Sequence, residues 1–210
     1  MPAPTDHGVR RREVARAAVH SIARTGLEGA TLRAVADEGG WSVGVVQHYF
    51  RNKSELLAAA VDYLAERTAG ALDDQSATSP VLERLTAVLY RTLPTGREPT
   101  ENYWRVWICF WAQATNDARL ATAVEQHAQL WRGRLAATIR AGQIDGSIRA
   151  ELNPDDEAAF LAAAVDGLGV TSAVDSGYPY PPGMVDRLVD RLAAAPAGSG
   201  PMARAGWAGP

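Results

Sequence analysis

A Gly-Gly pair at 39–40 divides two short helical patterns, over residues 31–38 and 42–50, near the N-terminus. Paired glycines permit left-handed backbone and weaken the continuation of a helix, so the chain is expected to turn between the two patterns. Thr31 has the position and side chain of an N-cap for the first pattern. Trp41 follows the turn, where its ring can pack as a wedge. The segment therefore predicts two short helices that cross steeply, which is a helix-turn-helix.

Helical periodicity continues along the chain, and the alternation of apolar and polar residues that is typical of β-strands is almost absent. Val14, Ala18 and Ile22 recur at helical spacing in a first helix that ends at Gly26, and a longer helix starts at Ser54. Further helices are predicted over residues 81–93, 103–115, 118–141, 154–175 and 182–194, with loops at 72–80 and 94–102. The chain is therefore predicted to be all-α, with a small N-terminal head and a larger helical body.

Charge is distributed unevenly between these parts. Residues 9–54 hold eight basic and four acidic side chains, a net charge of +4 in a chain whose total is −3. A basic head on an acidic body is expected when only one end of a protein touches phosphate. We therefore predict a helix-turn-helix domain at residues 1–55, a helical body at 56–195 and a flexible tail, rich in Gly, Pro and Ala, at 196–210.

The second helix of the helix-turn-helix has a composition that suits the major groove of DNA. Its first residues, Ser42, Val43 and Gly44, are small, so this helix can lie deep in the groove. Gln47 and His48 bring hydrogen-bonding groups to its other end. Glutamine can pair with adenine or hold a phosphate, and the sequence leaves both roles open.

Many spaced positions of the head agree with one known pattern. They are Thr31-Leu32, Val35-Ala36, Gly40, Ser42, Gly44, Val46, His48-Tyr49-Phe50 and Asn52-Lys53-Ser54-Glu55-Leu56-Leu57. On these residues, the stretch from residue 10 to about residue 60 resembles the DNA-binding head of TetR-family transcriptional regulators. Gln47 and His48 stand where many members carry tyrosine or a second aromatic residue, which leaves the operator sequence open.

The resemblance implies a cytoplasmic regulator that binds a double-stranded DNA operator. It implies that Thr31 and Arg33 act from the first short helix, on phosphate and on a base. The residues that would face the groove are Ser42, Val43, Gly44, Gln47 and His48. Tyr49 and Lys53 would hold phosphates, helped by the amide groups at the start of the helix after Ser54.

Members of this family are two-fold dimers, because two heads about 34–36 Å apart read a palindrome that one head cannot. The dimer is expected through the last two helices, where small residues allow a partner helix to approach closely. The predicted interface consists of Phe160, Ala163, Ala164, Gly167, Leu168, Thr171, Met184 and Leu188. Part of this face is also expected to pack on its own domain.

Aromatic residues concentrate in the helices of the body. Those predicted to line a ligand pocket are Tyr90, Tyr103, Trp104, Trp107, Trp111, His127 and Trp131. A bulky hydrophobic core is the alternative reading for most of these rings. Several indoles on one side of a bundle leave gaps, however, and aromatic gaps with a few polar groups form ligand pockets.

A second resemblance covers residues 100–170. It rests on Trp107, Trp111-Ala112-Gln113-Ala114, Asp117, Trp131-Arg132 and Arg134-Leu135. These positions are similar to the C-terminal domain of the betaine-synthesis repressor subfamily, whose members sense choline. A small-molecule effector, cationic or aromatic, is therefore expected, since indole faces attract cations. The expected mechanism is that ligand between the helices of 103–141 pushes the 55–70 helix and separates the two heads.

Other classes of protein receive less support from the sequence. We find no H-E-x-x-H motif, no phosphate-binding loop and no nucleophile with a paired histidine, so neither a metal, a cofactor nor an enzyme is expected. Cys109, the sole cysteine, suits a reducing cytoplasm, and no long uncharged apolar run predicts a membrane span. A helical-bundle enzyme that binds a small molecule, and a regulator or activator without an effector, remain the alternatives.

Overall fold

The computed structural model describes residues 4–73, 79–93, 101–175, 181 and 183–194. Within these ranges the chain forms nine helices, which confirms the all-α prediction. They are α1 (Pro4–Gly29), α2 (Leu32–Gly39), α3 (Val43–Tyr49), α4 (Lys53–Asp73), α5 (Val81–Thr92), α6 (Glu101–Ala114), α7 (Ala118–Asp145), α8 (Pro154–Val174) and α9 (Met184–Asp190). The tail predicted at 196–210 lies outside the described residues.

Helices α1, α2 and α3 form the head, with α4 packed against α1. The predicted inward residues of α1, Val14, Ala18 and Ile22, are buried at its centre. Gly26 interrupts α1 with a φ of 72°, which confirms that the regular helix ends there, although a further turn continues to Gly29. The apolar spacing of α1 therefore predicted its buried side correctly.

The turn of the helix-turn-helix has the chemistry that the sequence predicts. Thr31 Oγ1 accepts a hydrogen bond from the Ala34 amide at 3.1 Å and caps α2. Gly40 ends α2 with a φ of 68°, in the left-handed region that favours glycine. The Trp41 ring lies so close to Gly39 that a Cβ there would fall 2.2 Å from the ring. Both glycines are thus required, one for backbone conformation and one for space.

The start of α4 differs from the prediction that Ser54 begins this helix. Asn52 Oδ1 accepts a hydrogen bond from the Glu55 amide at 2.8 Å, and Glu55 Oε2 accepts one from the Arg51 amide at 3.0 Å. Asn52 is therefore the cap, in an arrangement close to a capping box. Ser54 lies inside α4, and its hydroxyl donates to Asp117 Oδ1 at 2.9 Å.

The body is organised around α7, which packs against α4, α5, α6 and α8. Helix α9 packs against α5, and the chain after it pairs with the 147–149 loop through an isolated antiparallel bridge between Ile148 and Ala193. Helix α6 contacts both α1 and α8. The helices that carry most of the aromatic residues therefore reach the head at one side and α8 at the other.

Helix α8 is apolar on several sides. In the described part of the chain it is the one helix long and apolar enough to cross a membrane, judged by length and composition alone. Only 28% of that stretch is buried within the chain. A helix of this kind needs a second apolar surface to cover it.

Close packing between α6 and α8 depends on a glycine. The Trp104 ring is buried, its Nε1 donates to the Thr92 carbonyl at 2.9 Å, and a Cβ at Gly169 would fall 2.1 Å from the ring. We expect Gly169→Ala to lower the free energy of unfolding by about 1–3 kcal/mol, because the held indole has to move. Chemical denaturation monitored by circular dichroism measures this change.

Gly133→Ala is the matched control. This glycine lies in α7, is exposed, and has nothing within 4 Å of its ideal Cβ. Alanine should stabilise the helix there by about 0.5–1 kcal/mol. Equal effects of the two substitutions would contradict a packing role for Gly169.

Candidate DNA-binding face and ligand cavity

The head presents most of the predicted DNA-binding residues on its surface. The exposed ones are Thr31, Arg33, Ser42, Gly44, Gln47 and His48, and the half-buried ones are Val43, Tyr49 and Lys53. Val46 and Phe50, on the other side of α3, are fully buried in the head. Helix α3 is thus anchored by one face while the opposite face carries the predicted groove residues.

Two side chains of this set have surroundings that bear on their roles. Ser42 precedes α3, but its hydroxyl makes no capping hydrogen bond, so it is available to a ligand. The Lys53 ammonium donates to the Leu27 carbonyl at 2.5 Å, which ties α4 to the end of α1. A phosphate contact by Lys53 stays a prediction, and it requires that the ammonium share or leave this internal partner.

The body contains a cleft between α5, α6, α7 and α8, with about 500 Å³ of unfilled space that includes the open solvent at its mouth. Six of the seven predicted pocket residues line it: Tyr103, Trp104, Trp107, Trp111, His127 and Trp131. Tyr90, the seventh, does not. Its hydroxyl donates to Asp186 Oδ2 at 2.7 Å, between α5 and α9, because its position on α5 turns it away from α6.

The rings in this cleft pack against one another. His127 stacks on Trp107 with centroids 4.5 Å apart and planes 22° apart. Trp111 lies 6.0 Å from Trp107 and 6.2 Å from Trp104. Tryptophan faces carry negative electrostatic potential, so several of them around one cleft favour a positively charged guest.

The sequence did not predict the two charged residues that also line the cleft, Arg132 and Asp166. Burial raises the pKa of the Asp166 carboxyl to about 6, and the nearby Arg132 guanidinium opposes that shift. Since the folded-state pKa is raised, the contribution of Asp166 to stability is present below its ordinary pKa of 3.8 and lost as pH rises through about 6. The one sequence signal for a role of Asp166 was the presence of a carboxylate in the middle of the apolar helix α8.

Two further groups set the polarity of the cleft. Burial lowers the pKa of His127 to about 4, so its imidazole is neutral at pH 7. The indole Nε1 of Trp107 is buried, and it has no hydrogen-bond partner among the residues that the structure describes. A buried donor of this kind favours a ligand that carries a hydrogen-bond acceptor.

The predicted dimer face lies on the outside of α8 and α9. Phe160, Ala163 and Gly167 are exposed, and Phe160 keeps 47% of its surface. The other members, Ala164, Leu168, Thr171, Met184 and Leu188, are partly buried. Arg191 follows α9 and its guanidinium stacks 4.2 Å from the Phe160 ring. The face is therefore continuous across the two helices and is open in the single chain.

A hydrogen bond joins the head-proximal end of α4 to the start of α7. Asp117 Oδ1 caps α7 by accepting from the Arg119 and Leu120 amides, both at 3.0 Å, and the same atom accepts the Ser54 hydroxyl. These three hydrogen bonds lower the pKa of Asp117. Helix α7 also carries His127 and Trp131, so one rigid helix connects the cleft with the first turn of α4.

An exposed short helix on a basic head and an aromatic cleft in a helical body define a class of protein, the ligand-responsive DNA-binding regulators. Two family models match the chain. The bacterial regulatory proteins of the tetR family match residues 14–60, and the C-terminal domain of BetI-type transcriptional repressors matches residues 81–196.

Curated relatives agree with these matches over most of their length. The chain is 31% identical over 176 residues to the HTH-type transcriptional regulator PksA of Bacillus subtilis, covering 83% of this chain and 84% of that protein. It is 29% identical over 179 residues to BetI of Burkholderia ambifaria, covering 84% and 89% of the two chains.

Solved structures give the same result. A transcriptional regulator from Rhodococcus sp. Rha1 superposes with a TM-score of 0.71 at 28% identity, over 86% of this chain and 92% of that one. A putative regulator from Saccharomonospora viridis, solved in complex with choline, gives 0.68 at 26% identity, over 88% and 94%. The chain belongs to the TetR family of transcriptional regulators. It is a DNA-binding regulator and not an enzyme.

Proposed function

We propose that this regulator binds its operator as a homodimer in the cytoplasm and leaves it when a cationic small molecule enters the aromatic cleft. The observation that carries the proposal is the half-buried Asp166 carboxylate in a cleft walled by indoles. Removing a carboxylate from water, even in part, is costly unless a positive partner approaches it. Arg132 supplies part of that charge from the exposed rim of the cleft, and a ligand cation would supply it inside.

The cleft also favours a particular shape of cation. Indole faces attract an alkylated ammonium through their quadrupole, and they offer it no hydrogen bonds. The unpartnered Trp107 N–H would donate to an oxygen elsewhere on the ligand. A quaternary ammonium with a hydroxyl or carbonyl group meets both requirements. Choline, which the Saccharomonospora viridis relative binds in its crystal structure, is one such molecule.

The dimer is proposed to form through the exposed side of α8 with α9. That side is apolar and carries small residues, Ala163 and Gly167, beside the large ring of Phe160. Pairing with the same face of a second copy would cover an apolar helix that is mostly uncovered in the single chain. It would also set two heads side by side, as a palindromic operator requires.

We propose that the Ser54–Asp117 hydrogen bond carries the signal from the cleft to the head. Ligand between α6 and α7 would shift α7, and the cap at its first turn would move with it. Because Asp117 Oδ1 holds both the α7 amides and the Ser54 hydroxyl, such a shift reaches α4 directly. The switch needs only that ligand binds the displaced arrangement more tightly than the operator-bound one.

The test is operator binding in the presence of matched ligands. The operator is first located by footprinting across the promoter beside the gene, and fluorescence anisotropy then follows release of the duplex. Choline should weaken operator binding by about 5- to 150-fold, whereas 3,3-dimethylbutan-1-ol, its uncharged carbon analogue, should leave it unchanged. Equal release by both compounds would contradict a cationic effector.

Coupling is tested separately in the same assay. Ser54→Ala should keep choline binding, measured by calorimetry, and reduce the choline-induced loss of operator affinity. Ser54→Thr, which keeps the hydroxyl, should restore it. Thr122→Ala is the control, since it removes a hydroxyl that bonds only within α7, to the Ala118 carbonyl at 3.0 Å. If choline binds to the wild type without changing operator affinity, choline is not the effector and the regulator responds to another molecule.

A further inference from the structure

Helix α1 extends well before the part of the head that matches the family model. The match begins at residue 14, whereas α1 begins at Pro4. The additional turns carry one histidine and three consecutive arginines, Arg10, Arg11 and Arg12. This extension lies against residues of the predicted DNA-binding face.

The contacts of the extension are made mainly by rings. The His7 imidazole is exposed, and its centroid lies 4.7 Å from the Tyr49 ring and 5.9 Å from the His48 ring. Those two rings are 4.9 Å apart at nearly a right angle. The Arg10 guanidinium lies 5.7 Å from the Trp41 ring. The first turns of α1 therefore run beside Trp41, before α3, and beside His48 and Tyr49, at the end of α3.

The arginines that follow are directed elsewhere. Arg11 packs over the Phe50 ring at 4.5 Å and faces Glu55 at 3.8 Å, and Arg12 pairs with Glu66 of α4 at 2.7 Å. These pairs hold the extension onto α4. His7 stays exposed, and its ring contacts Tyr49, a residue predicted to bind phosphate.

We propose that His7 binds the DNA backbone at the edge of the half-site. An imidazole N–H can donate to a phosphate oxygen, and the rings of Tyr49, His48 and His7, which each carry a donor, lie in contact there. The contact is to the backbone, so it carries no base preference. The inference rests on the proposed use of α3 in the major groove.

Charge variants at the surface test the contact. His7→Arg should strengthen binding to a duplex of about 30 base pairs and mixed sequence, and should steepen the slope of log affinity against log salt by up to about 0.9, the value of one additional phosphate contact. His7→Glu should weaken binding by about tenfold through repulsion. Anisotropy at several salt concentrations measures both quantities with the full chain.

Val9→Arg and Val9→Glu are the matched controls, because Val9 is 54% exposed and lines the groove between α1 and α4 instead. Both should change affinity less than twofold. If His7→Arg and His7→Glu both weaken binding, His7 only holds Tyr49 in place, and the proposal is wrong. It is equally wrong if the His7 and Val9 variants behave alike. Gly44→Glu, run in parallel, shows whether α3 itself binds DNA, so the two failures are distinguishable.

Discussion

Gly44→Glu is expected to reduce affinity for operator DNA by at least about 100-fold while leaving the fold intact. Gly44 is exposed in the first turn of α3, where a recognition helix lies deepest in the major groove. A longer side chain would keep the helix out of the groove, and its carboxylate would face phosphates, at a cost of several kcal/mol. A loss of about 100-fold corresponds to about 2.7 kcal/mol.

The structure explains why this substitution should not disturb the head. An ideal Cβ at Gly44 would meet only Ser42 Oγ, at 3.7 Å, which is ordinary contact. Gly133→Glu makes the same change of residue and charge on α7, where a Cβ meets nothing within 4 Å. Neither variant should melt below the wild type, and only Gly44→Glu should lose DNA binding in an anisotropy titration. Wild-type affinity in Gly44→Glu would remove α3 from the interface.

The head was largely predictable because its determinants are local in sequence. The Thr31 cap, the left-handed Gly40 and the ring of Trp41 all act within ten residues of one another. The error at α4 was also local: Asn52 and Ser54 are both good caps, and the position of Glu55 three residues after Asn52 favours the first. Residue type alone did not separate them.

The aromatic cleft was predictable only in part, because it is assembled from distant segments. The spacing of Trp104, Trp107 and Trp111 placed them correctly on one face of α6. Nothing in the sequence shows that Asp166 of α8 points into the same cleft, since the relation between α6 and α8 depends on packing across the bundle. Tyr90 lies outside the cleft for the same reason, because its hydroxyl bonds to Asp186 of α9.

The hydrogen bond between Ser54 and Asp117 was also not predictable, because it joins distant segments of the chain. Asp117 belongs to the motif that resembles the betaine-synthesis repressors, and no role was predicted for it. Its partner Ser54 is 63 residues away, on the helix that joins the head to the body. One carboxylate oxygen thus serves a local purpose, the cap of α7, and a distant one. The cap can be inferred from the local sequence, whereas the contact with Ser54 is visible only in the folded structure.

Asp166→Asn should weaken the binding of choline by about 30-fold, as expected when one partner of a partly desolvated charge pair is removed. The loss of the carboxylate also leaves the Arg132 guanidinium uncompensated at the rim, where it repels a cation. The variant should fold, because the amide has the same shape as the carboxyl. The substitution also removes an ionisable group whose pKa is raised to about 6 by burial. Calorimetry with choline measures the affinity, and thermal melting checks the fold.

The pH dependence separates charge from shape. Choline keeps its charge at all pH values, and His127, with a pKa of about 4, stays neutral from pH 5 upward. Wild-type affinity should therefore fall as pH drops through about 6 and Asp166 takes up a proton, approaching tenfold per pH unit below it. Asp166→Asn should lack this dependence, whereas Asp156→Asn, an exposed change at the start of the same helix, should keep it. The same pH dependence in Asp166→Asn would mean that another titrating group causes it and that the Asp166 carboxylate does not bind the cation.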